Sequence, residues 1–107
     1  EGYEYHKRYP KSMGTSIIPN KSKVALKISN SIIHKVNKTI QDVDKQFVVS
    51  DFYDREDCYL PGSLACYCNR YKKDYISLET TGLNNIQQID IRVNQHYLLL
   101  KEIIKHL

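Results

Sequence analysis

Residues 22–47, Ser-Lys-Val-Ala-Leu-Lys-Ile-Ser-Asn-Ser-Ile-Ile-His-Lys-Val-Asn-Lys-Thr-Ile-Gln-Asp-Val-Asp-Lys-Gln-Phe, carry the strongest structural signal in this chain. Their apolar positions recur at steps of three or four: Ile28, Ile32, Val36, Ile40, Val43 and Phe47. That spacing is typical of an amphipathic helix, which we predict over residues 22–46. Asn20 or Ser22, following Pro19, can supply the N-cap.

Several segments after this helix resemble β-strands, because they are rich in β-branched and aromatic residues or alternate apolar and polar residues. Four strands are predicted, over residues 47–53, 63–70, 74–80 and 89–93. Pro61-Gly62 marks a turn before the second strand, and residues 71–73 form a hairpin loop after it. Asn94 is a good N-cap for a final helix over residues 95–107.

These elements predict a single α+β domain over residues 1–107. It comprises one long amphipathic helix, about four antiparallel strands and a C-terminal helix, with both helices packed on one face of the sheet. Residues 1–21 are expected to be extended or irregular because Pro10, Gly14 and Pro19 punctuate them. Ile17 and Ile18 can form a short strand or an anchor onto the core.

Composition narrows the function classes. At 107 residues, 41% hydrophobic and 26% charged, the chain matches an ordinary folded domain. The formal net charge of +4 is too mild for a dedicated duplex binder. No apolar run reaches transmembrane length. The chain starts at Glu1 without a signal-peptide pattern, so we expect a removed targeting segment or an excised fragment of a larger protein.

Three cysteines, Cys58, Cys66 and Cys68, form a cluster in which at most two can pair within the chain. On the predicted strand Cys66 and Cys68 point to one face, and a bridge between them would strain the backbone. Cys58 lies opposite Cys66 if the Pro61-Gly62 turn has a three-residue loop, which leaves Cys68 as the odd thiol. A disulfide indicates an oxidising compartment, and an odd thiol can join a second subunit. The alternative is three buried free thiols in a reducing compartment.

Two Asn-x-Ser/Thr sequences, at Asn20 and Asn37, are candidate glycosylation sites. Asn20 lies at the start of the long helix and Asn37 on its expected solvent face, so each could carry a glycan without disturbing the core. The alternative is that both are ordinary polar surface residues.

Catalytic motifs are missing: the chain has no nucleophile elbow, phosphate-binding loop, dinucleotide fingerprint or His-Glu-x-x-His. We therefore expect no cofactor and no metal site. His6 and His96, with a nearby lysine, are the residue types that a metal-independent ribonuclease uses as general acid, general base and cation. Nothing in the sequence brings them together.

The N-terminal segment is rich in tyrosine and basic side chains, namely Tyr3, Tyr5, Lys7, Arg8 and Tyr9. Tyrosine and arginine are favoured in the hot spots of protein interfaces, and the segment can also stack bases and hold phosphates. We interpret the chain as a secreted or surface-exposed domain that binds a protein, such as a viral or parasite factor engaging a host receptor, and that can also form a homodimer. The alternative is a nucleic-acid-binding or RNA-cleaving, toxin-like domain.

Overall fold

A computed structural model of the protein describes residues 15–50, 62–80 and 87–107. These residues contain a mixed arrangement of three α-helices and a three-stranded sheet, so the α+β class is correct. Several features of the sequence lie outside the described residues. They are the Tyr/basic segment over residues 3–9, Cys58, the end of the strand predicted over 47–53 and most of the Pro61-Gly62 turn.

The first helix, α1, covers Lys23–Asn37, within the range predicted for the long helix but shorter. Ser22 is the N-cap, and its Oγ accepts hydrogen bonds from the backbone N–H groups of Val24 and Ala25. The same hydroxyl donates to Asp74, which fastens the start of α1 to the segment before the last strand. The buried face is continuous along the helix, comprising Ala25, Ile28, Ser29, Ile32 and Val36.

Helix α1 ends at Asn37 because that side chain turns back onto the following loop. Asn37 Nδ2 donates to the carbonyl of Phe47 at 2.9 Å, and Asn37 Oδ1 accepts from the N–H of Phe47 at 2.8 Å. The chain between them makes a 3₁₀ turn over Val43–Lys45 instead of continuing the helix. This turn places the side chain of Phe47 in the core, where the residue is 2% exposed.

The sheet consists of β1 (Ser16–Pro19), β2 (Val48–Val49) and β3 (Ile76–Glu79), in the order β2-β1-β3. Strand β1 pairs in parallel with β2 and antiparallel with β3, so the sheet is mixed where the sequence predicted antiparallel strands. Ile17 and Ile18 point to opposite faces of β1, and both are buried. Both faces of the central strand are therefore covered within the domain.

The strand predicted over residues 63–70 is wrong, because Leu64–Arg70 form a helix, α2. Ser63 caps it by accepting from the N–H of Cys66 at 3.2 Å. It ends with Lys72 at a φ of 53° and with a hydrogen bond of 2.8 Å from the N–H of Lys73 to the carbonyl of Cys68. This is the Schellman ending of a helix, with lysine in the left-handed position that glycine usually takes.

The strand predicted over residues 89–93 is also wrong, because Ile89–Ile104 form one helix, α3. Asn94 lies inside this helix and is not its N-cap. Gln88 occupies the cap position without a side-chain hydrogen bond, and Asp90 lies in the first turn, where a negative charge is favourable.

Helices α1 and α3 pack against each other in opposite directions. His106 Nε2 lies 3.1 Å from Ser31 Oγ, and Lys35 Nζ lies 3.4 Å from Glu102 Oε2. A hydrogen bond from Lys105, and then the bond from Lys35, hold the pKa of the Glu102 carboxyl below its ordinary range. The shared core comprises Ile17, Ile28, Ile32, Val36, Phe47 and Leu99.

None of the helices within the described ranges combines the length and the apolar character that a bilayer crossing requires.

Candidate functional site

Helix α3 carries a row of large apolar side chains that face solvent. We call it the α3 row, and its exposed fractions run from 51% to 93%. Six residues belong to it: Ile89, Val93, Tyr97, Leu100, Ile104 and, just beyond the helix end, Leu107. At 100° per residue they fall within a sector of roughly 80°. A contiguous exposed row of this kind is typical of a surface that meets another macromolecule.

A shallow groove of about 490 Å³ runs beside the α3 row, and His96, Arg92 and Thr80 contribute to its lining. His96 and Arg92 are four residues apart on α3, so their side chains are neighbours on the helix surface. Partial burial lowers the pKa of His96 below 6.5, the ordinary value for histidine. Burial therefore favours the neutral imidazole, which can accept a proton or a hydrogen bond.

A second cleft, of about 670 Å³, lies between the loop that follows α1 and the first half of α3. Its floor is a pair of buried amides: Gln87 Nε2 donates to Gln95 Oε1 at 2.7 Å, and Gln95 Nε2 donates to Gln87 Oε1 at 3.2 Å. Asp42 and Lys45, at the rim, form an ion pair of 3.0 Å. A hydrogen bond from Lys45 lowers the pKa of Asp42. These four polar side chains of the cleft are paired with one another.

The two sequon asparagines occupy structural positions. Asn20 is 4% exposed, so the expectation that it lies on the surface is wrong. Its Nδ2 donates to the carbonyl of Lys73 at 2.8 Å, and its Oδ1 accepts from the N–H of Tyr75 at 3.2 Å. Asn37 is half-buried and bonded to Phe47, so it does not lie on a fully wet face. Glycosylation at either site stays a prediction.

The cysteines of α2 lie on different sides of the helix, because residues two apart are separated by about 200°. Cys68 is buried and carries a free thiol. Cys66 is half-buried. The faces predicted for the cysteines assumed that residues 63–70 form a strand, and that assumption is wrong because Leu64–Arg70 form a helix. Cys58 lies outside the described residues, so the Cys58–Cys66 pairing stays a prediction. Burial of Cys68 does not favour a covalent bond from this thiol to a second subunit.

The residues proposed for catalysis are not brought together by what the structure describes. His96 lies in the α3 groove, whereas His6 falls outside the described residues. The hydroxyls of Ser16 and Ser29 are buried without a hydrogen-bond partner, so neither has a base to activate it. Within residues 15–50, 62–80 and 87–107, no group of three or more acidic, histidine or cysteine side chains could hold a metal ion.

The α3 row was missed because its first residues were interpreted as a strand. A usable signal was present, since Val93, Tyr97, Leu100, Ile104 and Leu107 follow one another at steps of four, three, four and three. That is the heptad spacing of helices that pack on other helices. The Gln87–Gln95 pair has no comparable signal, because glutamine is usually exposed.

Comparison with known proteins gives no match: no protein family, no curated protein and no solved structure corresponds to this chain.

Proposed function

We propose that this chain is a small protein-binding domain, and that its binding surface is the α3 row. The observation that carries the proposal is the run of exposed apolar side chains along one side of a regular helix. Burying such side chains against a partner is favourable by about 25 cal/mol per Å². A rigid helix also presents them without an ordering cost. Tyr97, near the middle of the row, is a residue type that often dominates interface energetics.

The proposal includes a location outside the cell. It is supported by the cluster of Cys58, Cys66 and Cys68 in the sequence, because a disulfide formed within it would persist mainly in an oxidising compartment. A viral or parasite protein that engages a host receptor would work in this setting. Intact mass of the natively expressed protein, with and without reductant, tests the location. Finding all three thiols reactive in the native, non-reduced protein would count against export.

Binding to intact host cells tests the function. The labelled domain should bind saturably, and trypsin treatment of the cells should remove the binding. Leu100→Glu and Tyr97→Glu should each weaken it at least tenfold, because a charge would be buried in an apolar contact. Val24→Glu is the matched control, since Val24 is a similarly exposed apolar residue on α1. Equal loss in the control would reject the α3 row as the binding surface, and no saturable binding would reject a host receptor as the partner.

Ribonuclease activity is the second candidate, and the groove favours it: a neutral His96 beside Arg92 offers a base and a cation. The purified domain should then cleave RNA, and His96→Ala should abolish cleavage while the circular dichroism spectrum stays unchanged. Absence of cleavage with structured and unstructured RNA removes this candidate.

A further inference from the structure

We infer that the α3 row binds the α3 row of a second copy of this chain, in an antiparallel helix pair. This inference rests on the protein-binding function proposed above, and it names a second copy of the chain, instead of a host receptor, as the partner at the α3 row. It starts from the spacing of Val93, Tyr97, Leu100, Ile104 and Leu107, whose steps of four and three are those of the core positions of a coiled coil. A row with this spacing is complementary to another helix, and most directly to itself.

The size of the row agrees with a dimer. Six side chains of this kind, at 51–93% exposure, leave on the order of 100 Å² each, so the row presents roughly 600 Å². That is the upper end of the patches found on monomers, about 300–600 Å². It is also most of the roughly 800 Å² that each partner buries in a standard interface. Polar residues flanking the row would supply the remaining area.

The helix dipoles favour the antiparallel direction. Side-chain charge does not decide it, because Asp90 and Arg92 both lie near the start of α3, and Lys105 at its end is paired with Glu102 of the same helix. A parallel pair would place the two positive dipole ends together and the two negative dipole ends together, whereas an antiparallel pair places opposite dipole ends side by side.

The heptad positions fix the register of the antiparallel pair. Core positions of one helix face those of the other when Tyr97 lies opposite the partner's Leu100. Val93 then lies opposite the partner's Ile104. The contact is isologous, because the same patch is used by both copies around a two-fold axis, so it closes at the dimer and does not continue into a fibre.

A charge-complementation experiment tests both the dimer and its direction. The wild type should have twice the chain mass of 12.6 kDa by light scattering, over a range of concentrations. Val93→Glu and Ile104→Lys should each be monomeric when alone. Their equimolar mixture should recover the dimer mass, because the carboxylate introduced in one copy would face the ammonium group introduced in the other. Val24→Glu, on α1, should remain dimeric, and circular dichroism and urea unfolding should show each variant to be folded.

The outcomes are distinct. A monomeric wild type at every concentration overturns the dimer, and if cell binding still depends on Leu100 the protein-binding function survives it. Dimeric Val93→Glu and Ile104→Lys variants show that the interface lies elsewhere, which also overturns the inference. Monomeric variants that fail to combine overturn the antiparallel register. A dimer without any cell binding supports the inference and rejects the host-receptor setting.

Discussion

Helices α1 and α3 are nearly equal in length, at 15 and 16 residues, but they distribute their apolar side chains differently. Helix α1 buries one continuous face, with Ile28, Ile32 and Val36 in the core. Helix α3 buries Leu99 and partly buries Ile103, and it keeps a second apolar side in solvent. The main apolar face of α1 is buried within the domain. Helix α3 has a second apolar side that the described part of this domain does not cover.

The largest expected effect is the difference in stability loss between two isoleucine truncations, one on each helix. Ile32→Ala should cost about 2–5 kcal/mol, because Ile32 is fully buried and its removal leaves a cavity. Ile104→Ala should change the free energy of unfolding by less than about 0.5 kcal/mol in dilute solution, since this side chain is exposed. Urea unfolding of both variants measures the contrast. Equal losses would mean that the α3 row is packed inside the domain.

A smaller effect is expected where the buried side of α3 is polar. Gln95→Leu should cost about 1–3 kcal/mol, because it leaves the buried amide of Gln87 without a partner. The double variant Gln87→Leu/Gln95→Leu should recover most of that loss. Gln88→Leu is the control, because Gln88 is an exposed neighbour that makes no side-chain cap bond. If the double variant is less stable than the single one, the two amides are not a unit.

The smallest effect concerns pH. Burial lowers the pKa of folded His96 below the unfolded value of 6.5, so the unfolded chain binds the proton more tightly. Its contribution to stability is fully present above pH 6.5 and is lost as the pH falls through the folded pKa. His96→Gln should therefore flatten the fall in the urea midpoint between neutral and mildly acidic pH. His34→Gln, at an exposed position on α1, should leave that fall unchanged, and an identical slope in both variants would contradict the prediction.

The same contrast between helices explains how much of the fold the sequence could predict. In α1 the apolar residues on the buried face repeat with only the helical period, so the helix and its Ser22 cap could be read directly. Helix α3 has apolar residues on two sides, and residues from the two sides follow one another closely along the sequence. Ile89, Ile91 and Val93 therefore alternate with polar residues, as they would in a strand. A helix with apolar residues on two sides therefore satisfies both periods over a short window.

Helix α2 could not be identified for a different reason. Its seven residues are too few for a helical period to become visible, and Leu64, Cys66 and Cys68 alternate with other residues by chance. Its end also lacks the usual signal, because Lys72 adopts the left-handed conformation without being glycine. Strand β3 was predicted over 74–80 and is observed at Ile76–Glu79.

The candidate site could be predicted only in part. His96 was identified as a residue type, and the structure adds its groove and its lowered pKa. The apolar row remained hidden, because its meaning depends on which side of α3 faces the core, and that is decided by contacts with α1 that lie about 65 to 75 positions away in the sequence.

The buried amide of Asn20 has a consequence for biosynthesis. A transferase needs free access to Nδ2, which in the folded domain is bonded to Lys73 and closed off from solvent. Sugar attachment at Asn20 would therefore compete with folding: a chain that folds quickly escapes it, and a chain that carries it is held away from the native contacts between Asn20 and Tyr75. In a secretory compartment, the fraction of chains modified at Asn20 would therefore report how fast this domain folds, with a larger fraction indicating slower folding.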